Sequence, residues 1–360
     1  MRKVSVFFAV FALVGASCTK IQIADSGDSS PSKGAISLSA YTAMPTKAAQ
    51  TDVKTDNFTS FQVSAIGNGA KYFDNVTFTK NSEGVWASSP AYFWPVYALD
   101  FYAYNTPSYG TFSSNITVGA QTLTFIPATT LENQEDLVAA KALGKTDPRG
   151  ATGLHFNHYL TQIVVKALNT NPTYSVEVAG VKIAHMKNKV EYTFSSNTAS
   201  PAGNAADETY SSEFTAKTLT DEAQEVMTAS TDKKWYLVPQ SVTAWDKVET
   251  DNSSKGTYLA LKVKITANGG ALRIYPATGE AYAWMAIPLS QGFLQGHKYT
   301  FVIKFFANNG AGFVDPETPG DLDGNSIAND DKGKSIIGGA IKFNAAVNPW
   351  TNETGIVISL

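Results

Sequence analysis

The sequence predicts an all-β protein built from antiparallel sandwiches. Three observations support this fold class: hydrophobic residues recur with a period of two along most of the chain, turn-forming residues separate these runs, and helix-period patterns are few. The chain has 360 residues, of which 43% are hydrophobic and 16% are charged. It is therefore long enough and apolar enough for two folded domains.

The alternating runs are short and spread over both halves of the chain. Residues 61–65 and 99–103 are two examples in the first half, and Gly, Asn, Pro and Asp separate such runs. The clearest run covers residues 258–266, where the Leu, Val and Ile residues at odd positions are expected to share one buried face. Many short strands of this kind favour antiparallel sandwiches.

A few segments depart from this pattern. Residues 131–143 could form one short helix, although Leu137 and Val138 fit a strand equally well, and residues 221–227 are expected to hold a helical turn. Residues 195–220 are interpreted as a polar insertion. The polar stretch 144–153, which contains Gly and Pro, predicts a domain boundary, with an N-terminal β-sandwich at residues 35–150 and a C-terminal one at 151–360.

The N-terminus has the pattern of an export signal. Arg2 and Lys3 precede an apolar run that is too short to span a bilayer, and small residues then lead into Cys18. This arrangement resembles a bacterial lipobox, although Gly15 stands where leucine is usual, and it implies a lipoprotein signal peptide at residues 1–17 and diacylglyceryl attachment to Cys18. An ordinary signal-peptidase site with a free thiol, or an incidental cysteine, are the alternatives.

Residues 18–34 are rich in Ser, Asp, Gly and Lys and are interpreted as a flexible tether. Cys18 is the only cysteine in the chain, so no intrachain disulfide can form. A net charge of −3 gives no basic surface for nucleic acid. No nucleophile elbow, phosphate-binding loop or dinucleotide motif is present, so the sequence predicts neither an enzyme nor a cofactor.

Two groups of residues are candidates for a metal site. His155 and His158 are three apart in a predicted strand, which places them on opposite faces and makes them a poor metal pair. Asp321, Asp323 and Asn325 present oxygen atoms at alternate positions, as a calcium loop does, but Lys332 occupies the twelfth position. A solvated loop is the main interpretation of this segment, and weak calcium binding is the alternative.

Several short motifs, in this order, carry a resemblance to a known family. After Cys18 and the tether come Ile36-Ser37-Leu38-Ser39, then Tyr92-Phe93-Trp94-Pro95, then Leu154-His155-Phe156-Asn157-His158, Leu237-Val238-Pro239-Gln240, Gly296-His297-Lys298-Tyr299 and Val347-Asn348-Pro349-Trp350. Together they resemble the fimbrillins of Bacteroidales, the type V pilins of the Mfa-like and FimA-like kind. The resemblance covers nearly the whole chain.

The resemblance implies two tandem transthyretin-like sandwiches and assembly by strand exchange. In such assembly a protease removes the first strand, here residues 36–41, and a strand from another pilin subunit fills the groove. Cleavage is expected between Lys47 and Ala48, but family members often carry Arg there, and no arginine lies between Arg2 and Arg149. Either a lysine-tolerant protease cuts after Lys47 or Lys54, or the strand is retained.

The C-terminus supplies a candidate donor strand with Ile356, Val357, Ile358 and Leu360, and the alternative is a last strand of the chain's own second sandwich. The predicted function is a structural or adhesive fimbrial subunit at the cell surface, held in the outer membrane by its lipid and possessing a host or bacterial surface ligand. A non-polymerising lipoprotein that binds glycans is the alternative, with Trp86, Trp235 or Trp245 as platforms.

Overall fold

The computed structural model describes residues 34–42, 58–82, 84–228, 233–246, 256–324, 331–338 and 342–349. It is 55% strand and 3% helix, which confirms the all-β prediction. The strands are, in chain order, β1 Leu38–Thr42, β2 Ser60–Gly67, β3 Ala70–Lys80, β4 Trp86–Ser88, β5 Leu99–Tyr104, β6 Thr111–Ile116, β7 Gln121–Ile126, β8 Val138–Lys145, β9 Thr152–His158, β10 Thr161–Asn169, β11 Tyr174–Lys187, β12 Val190–Thr193, β13 Thr198–Pro201, β14 Asp207–Thr218, β15 Gln224–Glu225, β16 Trp235–Leu237, β17 Tyr258–Ala267, β18 Leu272–Tyr275, β19 Ala283–Pro288, β20 His297–Phe305, β21 Phe313–Val314 and β22 Lys342–Pro349.

The first half is built around a seven-stranded sheet that closes on itself, in the order β1-β4-β3-β2-β5-β8-β9. Every pairing in it is antiparallel except the one between β1 and β9, which is parallel and closes the sheet. Apolar side chains from all of these strands, together with Phe58 and Trp94, fill the interior.

A four-stranded sheet, β13-β12-β7-β6, covers the outer side of β5 and β8. Because side chains alternate along a strand, Phe101 and Ala103 of β5 point into the closed sheet, while Tyr102 and Tyr104 pack against the covering sheet. Strand β5 is thus buried on both faces.

The second half contains a β-sandwich. One sheet has the order β15-β10-β20-β22, with β16 also paired to β10, and the other has the order β14-β11-β17-β19-β21, with β18 paired to β17. The apolar faces of β10 and β20 meet those of β11 and β17 in the largest core. The four residues predicted to share a face in β17, at positions 259, 261, 263 and 265, all lie in this core. The transthyretin-like topology stays a prediction.

Three local predictions were wrong. Residues 131–143 do not form the short helix. A 3-10 turn at Leu131–Asn133 is followed by β8, which begins at Val138 and bears out the strand alternative there. Residues 221–227 contain the two-residue strand β15 in place of a helical turn. The polar insertion at 195–220 forms strands β13 and β14.

The predicted domain boundary at residue 150 falls between β8 and β9, which pair directly through Val138 and His158. Strand β12 of the second half also pairs with β7 of the first half. The division into two domains at this point remains a prediction. Within the described ranges, no helix is long and apolar enough to cross a membrane.

Candidate functional site

The first strand, β1, holds the closed sheet together. It lies between β9, with which it forms five parallel residue pairs from Leu38–Thr152 to Thr42–Phe156, and β4, with which it forms the single pair Leu38–Trp86. Three further backbone bonds involve the residues before it. The Thr152 N–H donates to the Ser37 carbonyl at 3.0 Å, the Ile36 N–H to the Tyr92 carbonyl at 2.7 Å, and the Trp94 N–H to the Gly34 carbonyl at 3.3 Å. Without β1, the edges of β4 and β9 would be unpaired.

Alternate side chains of this segment enter the core. Ile36 and Leu38 are 2% and 0% exposed, and Ala40 packs partly buried against the same cluster. The intervening Ser37 and Ser39 point outward, as the period of two requires. This alternation is the reason why such a polar-apolar segment forms a half-buried strand.

The core in which β1 takes part is rich in aromatic rings. Phe61 lies with its ring centroid 4.7 Å from that of Trp86 and 5.0 Å from that of Phe156, and Phe58 lies 4.9 Å from Phe156. Strands β4 and β9, which flank β1, supply Trp86 and Phe156. Loss of β1 would therefore expose edges that flank an aromatic core.

On the outer face, Tyr41 of β1 stacks on His155 of β9. The ring centroids are 5.2 Å apart with an interplanar angle of 22°, and Tyr41 is 52% exposed. The sequence placed His155 and His158 on opposite faces, and the structure confirms this. His155 is exposed, whereas His158 is buried with its Nδ1 atom 2.6 Å from an Asp136 carboxylate oxygen.

Other predicted site residues fall outside the described residues: Cys18, Lys47, Ala48, Asn325 and the C-terminal group Ile356, Val357, Ile358 and Leu360.

The acidic loop brings together three carboxylates, of Asp321, Asp323 and Asp331, whose ligand atoms lie within 4.8 Å of one another. Asp331 lies one residue before Lys332, which occupies the twelfth position of the loop. One Asp321 oxygen accepts the Gly324 N–H at 2.9 Å, and Asp331 pairs with Lys334 at 2.8 Å, so the protein itself supplies donors to these groups. Calcium binding stays a prediction.

The glycan platforms proposed from the sequence are wrong. Trp86, Trp235 and Trp245 are 2%, 0% and 2% exposed, so none can present a ring face to a ligand in solution. Trp86 lies in the closed sheet, Trp235 in the sandwich core, and Trp245 against Tyr258. Their burial follows from the strands and extended segments that carry them, because large aromatic side chains contribute most of the apolar area of a core.

A buried ionic network on the outer face of the sandwich was not predicted. Lys182 of β11 pairs with Asp315 at 2.8 Å, with side chains 6% and 0% exposed. Beside them, Glu317 contacts His185 at 3.1 Å and accepts the Tyr258 hydroxyl at 2.9 Å. The hydrogen bond with His185, and then the one from Tyr258, lower the pKa of Glu317 to about 2, while burial raises the pKa of Tyr258.

The fold and the position of β1 define the class: an all-β protein of several sheets in which the first described strand completes a sheet formed by later ones. The fimbrillin-like family model matches residues 36–317, and the chain belongs to that family. Membership supports a fimbrial or adhesive subunit at the cell surface that interacts with other pilin subunits, and a structural role in place of an enzymatic one.

Several solved structures are similar to this chain. A candidate cell adhesion protein from Bacteroides ovatus shares 13% identity over 89% of this chain and 99% of its own, with a TM-score of 0.51. A candidate cell adhesion protein from Bacteroides uniformis has 13% identity over 88% and 99%, with a TM-score of 0.47. The fimbrial anchor protein Mfa2 from Porphyromonas gingivalis has 12% identity over 88% and 97%, with a TM-score of 0.34. Among curated proteins, none matches significantly.

Proposed function

We propose that this chain is a fimbrial subunit that assembles by donor-strand exchange, with β1 as the strand that is replaced. The observation that supports this most directly is the position of β1, a five-residue strand that closes a sheet between β4 and β9. Strand β1 is short and is the first strand among the described residues. Its departure creates a groove with two free strand edges, which another strand can fill through main-chain hydrogen bonds.

The buried side chains of β1 make the groove selective for the sequence of the strand that fills it. Ile36 and Leu38 are nearly fully buried, and complete burial of such a side chain contributes about 1.5–3 kcal/mol. A replacement strand must therefore carry apolar residues at every second position. The candidate donor residues Ile356, Ile358 and Leu360 have this spacing, as do Ile36, Leu38 and Ala40. The alternative, in which these residues belong to the chain's own second sandwich, is decided by the experiment below.

The precursor in this proposal is an exported lipoprotein, held in the outer membrane by the lipid on Cys18 until cleavage. Cleavage after Lys47 leaves the lipid and β1 behind, because both precede the cut. If β1 is retained because no arginine is present, the subunit remains anchored and serves as a cap or anchor of the fimbrium. The two outcomes differ in the N-terminal residue of the mature surface protein, Ala48 or acylated Cys18.

The assembly proposal is tested with two forms of the chain, residues 19–360 and residues 48–360. The first should remain monomeric in size-exclusion chromatography, whereas the second should polymerise or take up a synthetic peptide of residues 34–42. The same peptide with Leu38→Asp is the matched control and should not be bound, since it would bury an unpaired charge. A monomeric, folded 48–360 form that binds neither peptide nor itself would exclude strand exchange.

Donor and anchor are tested separately. Removal of residues 352–360 from the 48–360 form should abolish polymers while leaving uptake of the peptide intact, and polymers that form equally well would exclude the C-terminal donor. For the anchor, Cys18→Ser should release the full chain from the outer-membrane fraction. Membrane retention of the serine variant would disprove lipid attachment at this residue.

A further inference from the structure

A groove of about 530 Å³ opens on the outer face of the sandwich, a volume in the range of small-ligand sites. Strands β17 and β19 form its floor, with Lys262, Tyr282 and Trp284, and the loops 276–280 and 318–321 form its walls. No residue of β1 contributes to it. The proposed role of β1 in assembly therefore gives no function to this groove.

The indole of Trp284 lies against Gly180 of β11, which has no side chain. A Cβ atom added to Gly180 of β11 would meet the indole of Trp284 at 3.1 Å and Lys262 at 3.2 Å, so glycine is what allows this close approach. The ammonium groups of Lys182 and Lys262 lie 4.9 and 5.9 Å from the indole centroid. These contacts fix the ring in place, and its partly exposed surface lines the groove.

Tyr282 is held next to Trp284 on the same side of the sheet, since the two are two residues apart. Its hydroxyl donates to Glu177 at 2.6 Å, and the Lys264 ammonium lies 5.7 Å from its ring centroid. Lys264 is itself paired with Glu177 at 2.9 Å. Both rings are therefore ordered before any ligand arrives, which reduces the entropy lost on binding.

The polar groups around these rings suit hydroxyl groups better than charges. Glu280 and Thr278 are exposed at the wall, Asp321 lies beneath them, and Lys262 is already neutralised by Glu213 at 2.8 Å. An anion would face the two carboxylates. A sugar hydroxyl both donates and accepts, so it can bond to a carboxylate and to an ammonium or hydroxyl group at the same time.

We propose that this groove binds a neutral saccharide, with the apolar C–H face of one sugar ring packed on Trp284, a second contact on Tyr282, and hydroxyl groups bonded to Glu280 and Lys262. The site would give the subunit an adhesive function of its own, separate from strand exchange. Glycan binding is thereby assigned to the partly exposed rings of Trp284 and Tyr282 on the sandwich.

The test uses residues 19–360, which retain β1, so its result does not depend on assembly. The protein is applied to an array of neutral oligosaccharides of glucose, mannose, galactose and N-acetylglucosamine, and positives are titrated by calorimetry. Trp284→Ala should weaken binding by on the order of tenfold or more, because stacking area is lost. Gly180→Ala should also weaken it, since the added methyl group displaces the indole without touching the ligand.

Two further variants keep the result decisive. Glu280→Gln alters an exposed side chain and should weaken binding several-fold with an unchanged melting temperature, so it serves even if Trp284→Ala fails to fold. Phe93→Ala removes an aromatic side chain that is 56% exposed in the first half and should bind as wild type. Absence of binding to every neutral glycan would overturn the proposal, and so would binding by both Gly180→Ala and Glu280→Gln that is as strong as that of the wild type.

Discussion

The cores of the closed sheet and of the sandwich are completed by strands of very different length. The closed sheet depends on β1, which has five residues and forms one residue pair with β4 and five with β9. The sandwich depends on β11 and β17, strands of 14 and 10 residues that form ten residue pairs with each other. The first core is completed by a short strand, for which we propose exchange, whereas the second is completed by long strands that the rest of the sheet encloses.

This difference matches the two proposed functions of the molecule, which are assembly through the closed sheet and ligand binding on the sandwich. A short strand at a sheet closure suits the proposed assembly, because a strand from another subunit could form backbone bonds with the same two edges and bury its side chains in the same core. A sheet with long, enclosed strands suits ligand binding, because rigid elements keep side chains in fixed positions. The aromatic groove lies on the sandwich, in agreement with this division.

The largest effect is expected in the sandwich, at the buried pair of Lys182 and Asp315. Lys182→Ala or Asp315→Ala should each lower the free energy of unfolding by about 3–5 kcal/mol, because each leaves an uncompensated buried charge. Replacement of both, with Lys182→Met and Asp315→Asn, should recover most of that loss, because the asparagine oxygen still accepts the Glu317 and Thr318 N–H groups. Denaturant unfolding measures all three, and a loss below about 1 kcal/mol in both single variants would show that the pair is solvated.

The second prediction compares one leucine from each region, Leu38 of β1 and Leu261 of β17, both 0% exposed. Leu38→Ala and Leu261→Ala should each lower the free energy of unfolding by about 2–5 kcal/mol. Only Leu38→Ala should also increase amide hydrogen exchange in β9, since β1 would detach more often without global unfolding. Ser39→Ala is the control, with an expected change within about 0.5 kcal/mol. Equal exchange in β9 for both leucine variants would contradict the idea of a separately detachable strand.

The strands that the sequence predicted well are those with one buried face. Strand β9, in which the sequence placed His155 and His158, is an example, because buried and exposed residues alternate along its whole length. Strand β8 was ambiguous because Val138, Ala139 and Ala140 are buried on both faces, which removes the alternation. Strand β14 was taken for an insertion because it is an edge strand with many exposed polar residues.

The candidate sites were less predictable, for a related reason. The position of β1 came from the family resemblance, since its partners β4 and β9 lie far along the chain. Lys182 with Asp315, and Trp284 over Gly180, are likewise long-range contacts that no local spacing reveals. The sequence pointed to Trp86, Trp235 and Trp245 only because they are tryptophans. The exposure of each ring depends on which face of which sheet is covered, and all three are buried.

The third prediction concerns acid stability and Glu317 in the sandwich. Its folded pKa of about 2 lies below the ordinary value of 4.5, so the ionised form stabilises the fold above pH 4.5, and this contribution is lost as the pH falls towards 2. Glu317→Gln should therefore lower the melting temperature most at neutral pH, and the difference from wild type should shrink towards pH 2. Melting curves at several pH values measure this. A difference that stays constant with pH would show that the carboxylate charge has no stabilising role beside His185 and Lys182.

The smallest effect is expected at the outer face of β1, where Tyr41 stacks on His155. Because Tyr41 is half-exposed, the coupling in a double-mutant cycle of Tyr41→Ala and His155→Ala should be about 0.5–1 kcal/mol. Both residues lie on the β1–β9 pair, so each single variant should also speed uptake of the 34–42 peptide by the 19–360 form. A measurable coupling without faster uptake would mean that release of β1 is limited by its buried side, at Ile36 and Leu38. Faster uptake would mean that the outer stack contributes to holding the strand before exchange.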